Sequence, residues 1–383
     1  MFKRRRLLQG LTAGALVAPF TAGGARAQGL GTDYDVVIIG AGVAGLTAAE
    51  QLLSFDAELK VLVLEARDRI GGRVYSLKRD ELARNVELGP YSISPAEGAA
   101  WSPINRFGLN VTASDSGQLE LFPGVGALTE ALADSAAGKA QLNSEVTQVF
   151  WREGLVGINY RNRGLDSAVT ARRLIFSLPA AVVASGGPQF TPDLAPAKRA
   201  VAASLPRESG LSVAILFPAS SAEFIDNHRE WRETNSSSTL RAYRAGYEGE
   251  VLVEAQYFGT RADALAGQSD ALITSLVMRS VGKGLSQNPS PSDAIWSSVK
   301  RWEADPLSRG ARAAAGSTAD HLTLAESQGN TLFFAGDSTC DPADVGTVHG
   351  AYASGQRAAR EVALSLDVAF SAPDANEPIL ELF

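Results

Sequence analysis

The sequence predicts an α/β protein in which a Rossmann-like nucleotide-binding domain is interleaved with a smaller α+β domain. An apolar strand leads into the spacing Gly40-x-Gly42-x-x-Gly45 and then into an alanine-rich helix. Glu65 ends the next apolar run, 20 positions after Gly45. A further apolar strand, glycine turn and small-residue helix begin near residue 331. We therefore expect the chain to leave the first domain and return to it near its end.

The first strand, turn and helix suit a dinucleotide. Gly40 allows the tight turn, Gly42 lets the backbone approach a pyrophosphate, and Gly45 lets the helix pack against the strand. The N-terminus of the helix presents free N–H groups and a positive dipole to the phosphates. Glu65 lies where a carboxylate accepts hydrogen bonds from a ribose diol.

Two longer strings are more specific than this glycine spacing. Residues 65–73 read Glu-Ala-Arg-Asp-Arg-Ile-Gly-Gly-Arg, in which paired glycines let the backbone pass a ligand and arginines are available for phosphate charge. Residues 331–337 read Thr-Leu-Phe-Phe-Ala-Gly-Asp, and residues 346–350 read Gly-Thr-Val-His-Gly. With these strings the chain resembles the flavin-containing amine oxidase family, as a short member. The resemblance implies an FAD-dependent oxidoreductase of the amine oxidase or dehydrogenase type.

The resemblance also implies which residues contact FAD. In the family, the segment like 86–91 passes beside the flavin, and the position like Val146 meets the adenine through its backbone. The expected FAD contacts are Gly40, Gly42, Val43, Ala44, Gly45, Glu65, Ala66, Arg67, Gly71, Gly72, Arg73, Val74, Leu88, Gly89, Pro90, Val146, Gly336, Asp337, Thr347 and Val348. Some members attach FAD through a cysteine near the position of Arg312, and this chain has none there. We therefore expect non-covalent FAD.

Four residues are candidate substrate contacts, and no catalytic residue is assigned. Tyr91 occupies an aromatic position of the family, and Ser212 stands where the family often has a lysine. Arg312 and Thr347 take the two positions of the usual aromatic cage, so a cage around an amine is not expected. Arg312 would suit a carboxylate if it points inward, and an exposed loop position is the alternative. Trp302 is expected to pack beside the cofactor.

These features leave three functions open. The first is oxidation of a C–N bond in an amine or amino acid by hydride transfer to flavin N5, with oxygen or a periplasmic electron carrier as the acceptor. The second is an FAD-dependent C–C desaturase or dehydrogenase, because such flavoproteins share the same terminal motifs. The third is a non-catalytic flavoprotein subunit that needs a partner.

Residues 1–27 predict an export signal. Three consecutive arginines, Arg4 to Arg6, precede a mildly apolar stretch, and residues 25–27 form an Ala-x-Ala cleavage pattern. The arginine run resembles a twin-arginine signal, which exports folded proteins, so the expected location is the periplasm. An ordinary secretory signal is the alternative.

Composition excludes several classes of partner. Without residues 1–27 the chain has 30 basic and 42 acidic residues, a net charge of roughly −12, and nucleic acid is not an expected partner because phosphate binding needs a basic patch. A single cysteine, Cys340, permits no internal disulfide. The three histidines lie far apart in sequence, so no metal site is expected.

The motifs also set expected domain boundaries. The FAD-binding domain is expected in residues 28–93, 122–187 and 329–370, the substrate domain in 94–121 and 188–328, and a tail in 371–383. Family members usually carry a much longer, helical segment where this chain has the 28 residues 94–121. The short segment predicts a reduced substrate lid and an open entrance around residues 91–107, which a second copy of the chain or a partner protein would cover.

Overall fold

A computed structural model of the chain describes residues 32–93, 101–113, 119–221, 223, 225, 231–235, 237–285 and 290–369. The predicted export signal and the predicted tail lie outside the described residues. The helices are α1 (Val43–Phe55), α2 (Trp101–Arg106), α3 (Gly126–Ser135), α4 (Ala180–Ala184), α5 (Pro196–Ser204), α6 (Gly259–Ala266), α7 (Asp270–Leu285), α8 (Thr318–Ala325) and α9 (Val348–Ser365).

The strands run through the whole described chain. They are β1 (Tyr34–Ile39), β2 (Val61–Leu64), β3 (Ser76–Leu77), β4 (Val86–Glu87), β5 (Asn110–Ala113), β6 (Leu119–Phe122), β7 (Ala140–Gln141), β8 (Ser144–Arg152), β9 (Leu155–Asn162), β10 (Leu165–Phe176), β11 (Gln189–Thr191), β12 (Arg207–Glu208), β13 (Gly210–Phe217), β14 (Trp231–Asn235), β15 (Ser238–Arg244), β16 (Val251–Phe258), β17 (Trp296–Arg301), β18 (Arg312–Ala313) and β19 (Leu332–Phe334).

The larger sheet has eight strands in the order β11-β8-β9-β10-β1-β2-β7, with β19 paired to β10. Strand β1 pairs in parallel with β2 and β10, and β10 pairs in parallel with β19. Strands β8, β9 and β10 form an antiparallel meander, as the alternating strands after residue 145 predict. The carboxyl ends of the parallel strands meet at one edge, which is where open α/β sheets bind ligands.

Apolar composition explains how this sheet is covered. Residues 36–39 of β1 are all buried and apolar, as expected for a strand with both faces covered. On one face lie α1, α3 and α9, which share a single apolar core with the sheet. Helices α1 and α9 pack closely because of small residues, since a Cβ on Gly355 would clash with the carbonyl oxygen of Ala44.

The second sheet is antiparallel, in the order β14-β15-β16-β13-β17. One of its faces packs on α6 and α7 through an apolar core that includes Val213, Val253 and Ile273. Successive side chains of a strand point to opposite faces. The other face therefore carries Ser212 and Gln256, and it looks toward the carboxyl edge of the larger sheet.

The packing bears on the predicted domain boundaries, which stay a prediction. The sequence assigns residues 94–121 to the substrate domain, and Ile104, Leu119 and Leu121 are buried in the core that α1 and α3 share with the larger sheet. Leu205, which follows α5, and Leu324 of α8 also pack on the larger sheet, in the core of its other face. These segments find their apolar partners far away in sequence.

No helix in the described part of the chain is long and apolar enough to cross a membrane. The described residues also contain no group of three or more His, Cys, Asp or Glu side chains that could hold a metal ion.

Candidate cofactor and substrate site

A cavity of about 940 Å³ lies between the carboxyl edge of the larger sheet and the second sheet. All the predicted FAD contacts line it except Gly45 and Leu88. The four candidate substrate contacts line it as well: Tyr91, Ser212, Trp302 and Arg312. The structure therefore brings together residues from the first strand unit, from the C-terminal string and from the second sheet.

The glycine turn after β1 forms a cradle at the N-terminus of α1. Gly40 has φ +103°, a conformation that favours glycine. A Cβ on Gly42 would meet no atom within 4 Å, because this position faces the open cavity. The first turn of α1 has no acidic residue, and no side chain caps it. Its free N–H groups can therefore bind an anion such as a pyrophosphate.

Gly45 has a different role from Gly42. A Cβ on Gly45 would clash with the carbonyl oxygen of Gly40 and would lie 2.8 Å from the Ser177 Oγ. The residue packs α1 against the end of β1 and stays outside the cavity lining. Its packing against β1 agrees with the packing role that the sequence suggests, and its contact with the cofactor stays a prediction.

Glu65 follows β2 and is 6% exposed. Its Oε2 accepts a hydrogen bond from the Ala41 N–H at 2.7 Å, and its Oε1 accepts one from the Arg67 N–H at 2.9 Å. Two backbone amides thus fix the carboxylate at the cavity wall. Each carboxylate oxygen keeps accepting capacity, which fits a ribose diol donating to it.

The sequence suggests that the arginines of residues 65–73 are available for phosphate charge. In the structure these arginines already have protein partners. Arg67 donates to both Asp305 oxygens at 3.0 Å and to the Ser308 Oγ at 2.9 Å. Arg73 forms a bidentate pair with Asp337, at 2.9 and 2.7 Å. The guanidinium charges of Arg67 and Arg73 are each matched by a carboxylate, while Arg69 donates to the backbone carbonyl oxygens of Ile70, Gly72 and Val74.

The C-terminal string supplies a second glycine turn and a second helix N-terminus. Gly336 has φ +135°, and a Cβ there would meet nothing within 4 Å. Asp337 accepts a hydrogen bond from the Ala313 N–H at 2.9 Å in addition to its pair with Arg73. Thr347 caps α9, because its Oγ1 accepts from the Gly350 N–H at 3.0 Å. Val348, the first residue of α9, lines the cavity.

Trp302 and Leu88 hold the wall beside Pro90 together. Trp302 is 3% exposed, and its Nε1 donates to the Leu88 carbonyl oxygen at 3.2 Å. Trp302 therefore has the packing role that the sequence suggests. Leu88 contributes this carbonyl and stays outside the cavity lining, and its contact with FAD stays a prediction. Val146 is 8% exposed and lies at an irregularity in the β8–β9 register.

Ser212 and Lys300 are partners across β13 and β17. Ser212 is 3% exposed and lines the cavity. Lys300 pairs with Asp305 and is absent from the lining. Although burial alone would raise the pKa of Asp305, hydrogen bonds from Arg67 and Lys300 lower it below its usual value. No lysine among the described residues lines the cavity at the position of Ser212.

Arg312 lies at the edge of the cavity. Its side chain is 45% exposed, forms an ion pair with Glu208, and lies over the Phe258 ring with Cζ 4.9 Å from the centroid. Glu208 matches its charge, so Arg312 is neither a free anion receptor nor a residue pointing wholly into solvent.

A buried charged cluster lies behind Tyr91. Glu254 accepts hydrogen bonds from the Arg241 Nε at 2.6 Å and from the Glu87 N–H at 2.7 Å. The Arg241 Cζ lies 4.1 Å from the centroid of the Tyr91 ring. Burial, and after it the charge of Glu254, raises the pKa of Glu87 to about 8, against the hydrogen bonds from Ser76.

The described residues of the segment 91–107 are mostly more buried than the predicted open entrance implies. Tyr91 is 7% exposed, and Ile93 and Ile104 are each 1% exposed. The hydroxyl of Tyr91 is buried and has no hydrogen-bond partner within the described residues. Because both isoleucines pack in the core of the larger sheet, the described part of this segment forms no exposed apolar wall.

On three strands of the second sheet, five cavity residues escaped the sequence reasoning: Arg232, Thr234, Thr239, Gln256 and Phe258. They lie on β14, β15 and β16. A signal existed in the sequence, because polar residues at alternate positions interrupt the otherwise apolar β16. The pairing of these strands, which brings the polar residues together, could not be derived from the sequence.

Comparison with known proteins places the chain in a family. The sequence model of the family described as flavin containing amine oxidoreductase matches residues 43–119 and 110–363. The chain belongs to this family. A pseudooxynicotine dehydrogenase of Pseudomonas sp is 37% identical over 123 residues, which cover 28% of this chain and 24% of that protein. Flavin-containing amine oxidase B of Homo sapiens is 41% identical over 75 residues, covering 20% of this chain and 14% of that protein.

Another relative covers more of the chain. Lysine-specific histone demethylase 1 homolog 2 of Arabidopsis thaliana is 28% identical over 455 aligned positions, covering 87% of this chain and 59% of that protein. The chain thus spans 59% or less of the length of these three relatives.

Solved structures agree with the fold. A redesigned putrescine oxidase matches with a TM-score of 0.71 and 16% identity, covering 86% of this chain and 99% of that one. Cyclohexylamine oxidase from Brevibacterium oxydans matches with a TM-score of 0.70 and 16% identity, covering 88% and 100%. These likenesses confirm the predicted α/β fold with its interleaved second domain.

Proposed function

We propose that the protein is an FAD-dependent oxidoreductase that oxidises a C–N bond of an amine or amino acid. One observation carries the proposal: a single cavity joins two glycine-turn helix N-termini, the fixed carboxylate of Glu65, and a separate wall from the second sheet. A dinucleotide fits the first part, and the wall leaves room for a substrate at the other end. Family membership supports the same chemistry.

The residues present fit FAD. The open positions at Gly42 and Gly336 leave space beside the backbone, and Glu65 is placed for a ribose. Non-covalent binding is supported by Cys340, which does not line the cavity. Burial raises the pKa of its thiol to about 12, so the thiol stays neutral and unreactive at ordinary pH.

The protein's part in the reaction is placement. When bound, FAD supplies a two-electron acceptor at N5, so an amine that loses a hydride and a proton becomes an imine, which water hydrolyses. Trp302 and Gln256 hold the segment at 88–90 by donating to the Leu88 and Gly89 carbonyl oxygens. A fixed wall keeps the reacting C–H in one orientation and limits water.

The electron acceptor, location and assembly state belong to the same proposal. We expect oxygen or a periplasmic electron carrier to reoxidise the flavin, and export by residues 1–27. Changing Arg4, Arg5 and Arg6 to lysine should then retain the precursor in the cytoplasm, which cell fractionation measures.

We also expect a homodimer or a complex with a partner protein. Sedimentation and turnover are measured together across a dilution series of the protein. A monomer with full activity would contradict this expectation.

Anaerobic flavin reduction tests the activity. The purified protein is titrated with a panel of amines and amino acids while the flavin absorbance is recorded, and dithionite serves as the control for a reducible flavin. Bleaching by members of the panel is the expected result. If only dithionite bleaches the flavin, amine oxidation is rejected. The two alternatives that then remain are a C–C dehydrogenase and a non-catalytic subunit.

A further inference from the structure

Four polar side chains form one row across the second sheet. Ser212 pairs with Gln256, Gln256 pairs with Thr239, and Thr239 pairs with Thr234. All four line the cavity. Neighbouring strands lie about 4.8 Å apart, so the row extends over roughly 14 Å. The cavity wall therefore carries a line of hydroxyl and amide groups.

This row has unused hydrogen-bonding capacity. Within the described residues, no hydrogen bond joins the hydroxyls of Ser212, Thr234 or Thr239 to another protein group. The Gln256 Nε2 donates to the Gly89 carbonyl oxygen, which turns its Oε1 away from that contact. Ser212 and Gln256 are 3% and 7% exposed. Thr239 is half-buried and Thr234 is exposed, so the need for hydrogen-bond partners is greatest at the Ser212 and Gln256 end of the row. A ligand that supplies partners suits this end.

The described wall around the row offers no carboxylate to a second cation. The charged side chain nearest to it in register is Lys300, which lies opposite Ser212 and pairs with Asp305, and Arg232 lies two positions before Thr234 on β14. Arg232 pairs with Glu120. The acidic residues that line the described cavity are Glu65, Glu145 and Asp337, all on the larger-sheet side. No carboxylate of the described lining lies on the second sheet.

We propose that this wall recognises an amine whose remaining part carries neutral hydrogen-bonding groups, such as hydroxyls or amides, in preference to an alkyl chain or a second ammonium. The inference rests on the proposed function and specifies its substrate class. A hydroxyl on the substrate supplies a hydrogen-bond partner to the row, whereas an alkyl chain leaves the hydroxyl of the buried Ser212 unpaired. A second ammonium finds no carboxylate on the described part of this wall.

A matched trio of probes tests the preference: 5-amino-1-pentanol, hexylamine and 1,5-diaminopentane. Each is mixed anaerobically with the FAD-loaded protein, and the rate of flavin reduction is followed against concentration. We expect the amino alcohol to have the highest ratio of reduction rate to dissociation constant. For each probe we compare the ratio of reduction rate to dissociation constant. Ser212→Ala and Thr239→Val should each lower this ratio for the amino alcohol relative to hexylamine by about two- to tenfold, the scale of one neutral hydrogen bond.

Two controls separate this inference from the proposed function. Ser298→Ala removes a hydroxyl of the same sheet that does not line the cavity, and it should leave the preference unchanged. Calorimetry with 5-hydroxypentanamide and hexanamide measures the same preference without an oxidisable amine. If the hydroxyamide binds better than hexanamide but no amine reduces the flavin, the proposed amine oxidation is rejected and the preference of the wall for hydroxyls stands. Equal or stronger binding of the alkyl members in both assays would overturn the substrate class.

Discussion

Gly42 and Gly45 lie three positions apart and respond differently to a side chain. A Cβ on Gly42 enters the open cavity, whereas a Cβ on Gly45 clashes with the Gly40 carbonyl. Gly42→Val should therefore give a folded protein without flavin, and Gly45→Val should reduce folding itself. The flavin-to-protein absorbance ratio and far-UV circular dichroism measure the two effects. Normal flavin content in Gly42→Val would remove the dinucleotide assignment of this turn.

Arg312 has its charge matched by Glu208 while remaining 45% exposed. Exposed ion pairs contribute little, so Arg312→Ala should change the kcat/KM of an anionic substrate by less than about 1 kcal/mol. Glu208→Gln frees the guanidinium and should lower the KM of amino acids relative to the matching amines. Kinetics with an amino acid and its decarboxylated amine measure both effects. A loss above about 2 kcal/mol in Arg312→Ala would show a direct substrate contact.

Cofactor residues were easier to predict than substrate residues for a physical reason. Gly40, Gly42 and Glu65 act through a continuous strand, turn and helix, so their spacing in sequence fixes their positions in space. Thr239 and Gln256 meet only through the register of separate strands. Arg67 lines the cavity as predicted, yet its charge partner Asp305 lies 238 positions away and has no local signal.

At the scale of elements, β4 places Glu87 beside the second sheet. Its carboxylate accepts from the Ser76 Oγ at 2.7 and 2.8 Å and from the Val125 N–H at 3.0 Å. Burial and the nearby Glu254 raise its folded pKa to about 8, against a value of 4.5 in the unfolded chain. Below pH 4.5 both states are protonated. As pH rises from 4.5 to about 8, only the unfolded state releases the proton, so this group's contribution to stability falls.

Glu87→Gln should therefore flatten the decline of stability between pH 4.5 and about 8. The difference between Glu87→Gln and the wild type in the pH-dependent part of the free energy of unfolding should reach a few kcal/mol near pH 8. Urea unfolding at saturating FAD, measured at several pH values, gives the free energies of unfolding. Glu130→Gln is the control, because Glu130 is a half-exposed glutamate of α3. Parallel pH profiles for the wild type and Glu87→Gln would show that Glu87 ionises normally.

The elements also show where sequence reasoning stops. Strands β13 and β16 and helix α7 follow from apolar periodicity and length. Helices α5 and α8 were predicted in the substrate domain, and the structure packs Leu205 and Leu324 in a core of the larger sheet. An amphipathic helix indicates which face it buries but not which sheet it covers.

At the scale of the whole molecule, Arg67 and Asp305 connect the two parts of the chain. Arg67 follows β2 of the larger sheet, and Asp305 follows β17 of the second sheet. The Asp305 side chain is 4% exposed, and the two hydrogen bonds from Arg67 are each 3.0 Å. This pair fixes the distance between the two walls of the cavity, so it bears on both folding and cofactor binding.

Arg67→Met should lower the free energy of unfolding by about 2–3 kcal/mol, because it leaves a buried carboxylate with Lys300 as its remaining charged partner. FAD affinity should fall as well, since the wall formed by the second sheet loses its hydrogen bonds to Arg67. The double variant Arg67→Met/Asp305→Leu should recover stability, because it removes the unpaired charge. Urea unfolding and FAD titration of Arg67→Met, Asp305→Leu and the double variant give a double-mutant cycle. If the losses of the two single variants add up in the double variant, the pair does not couple the two sheets.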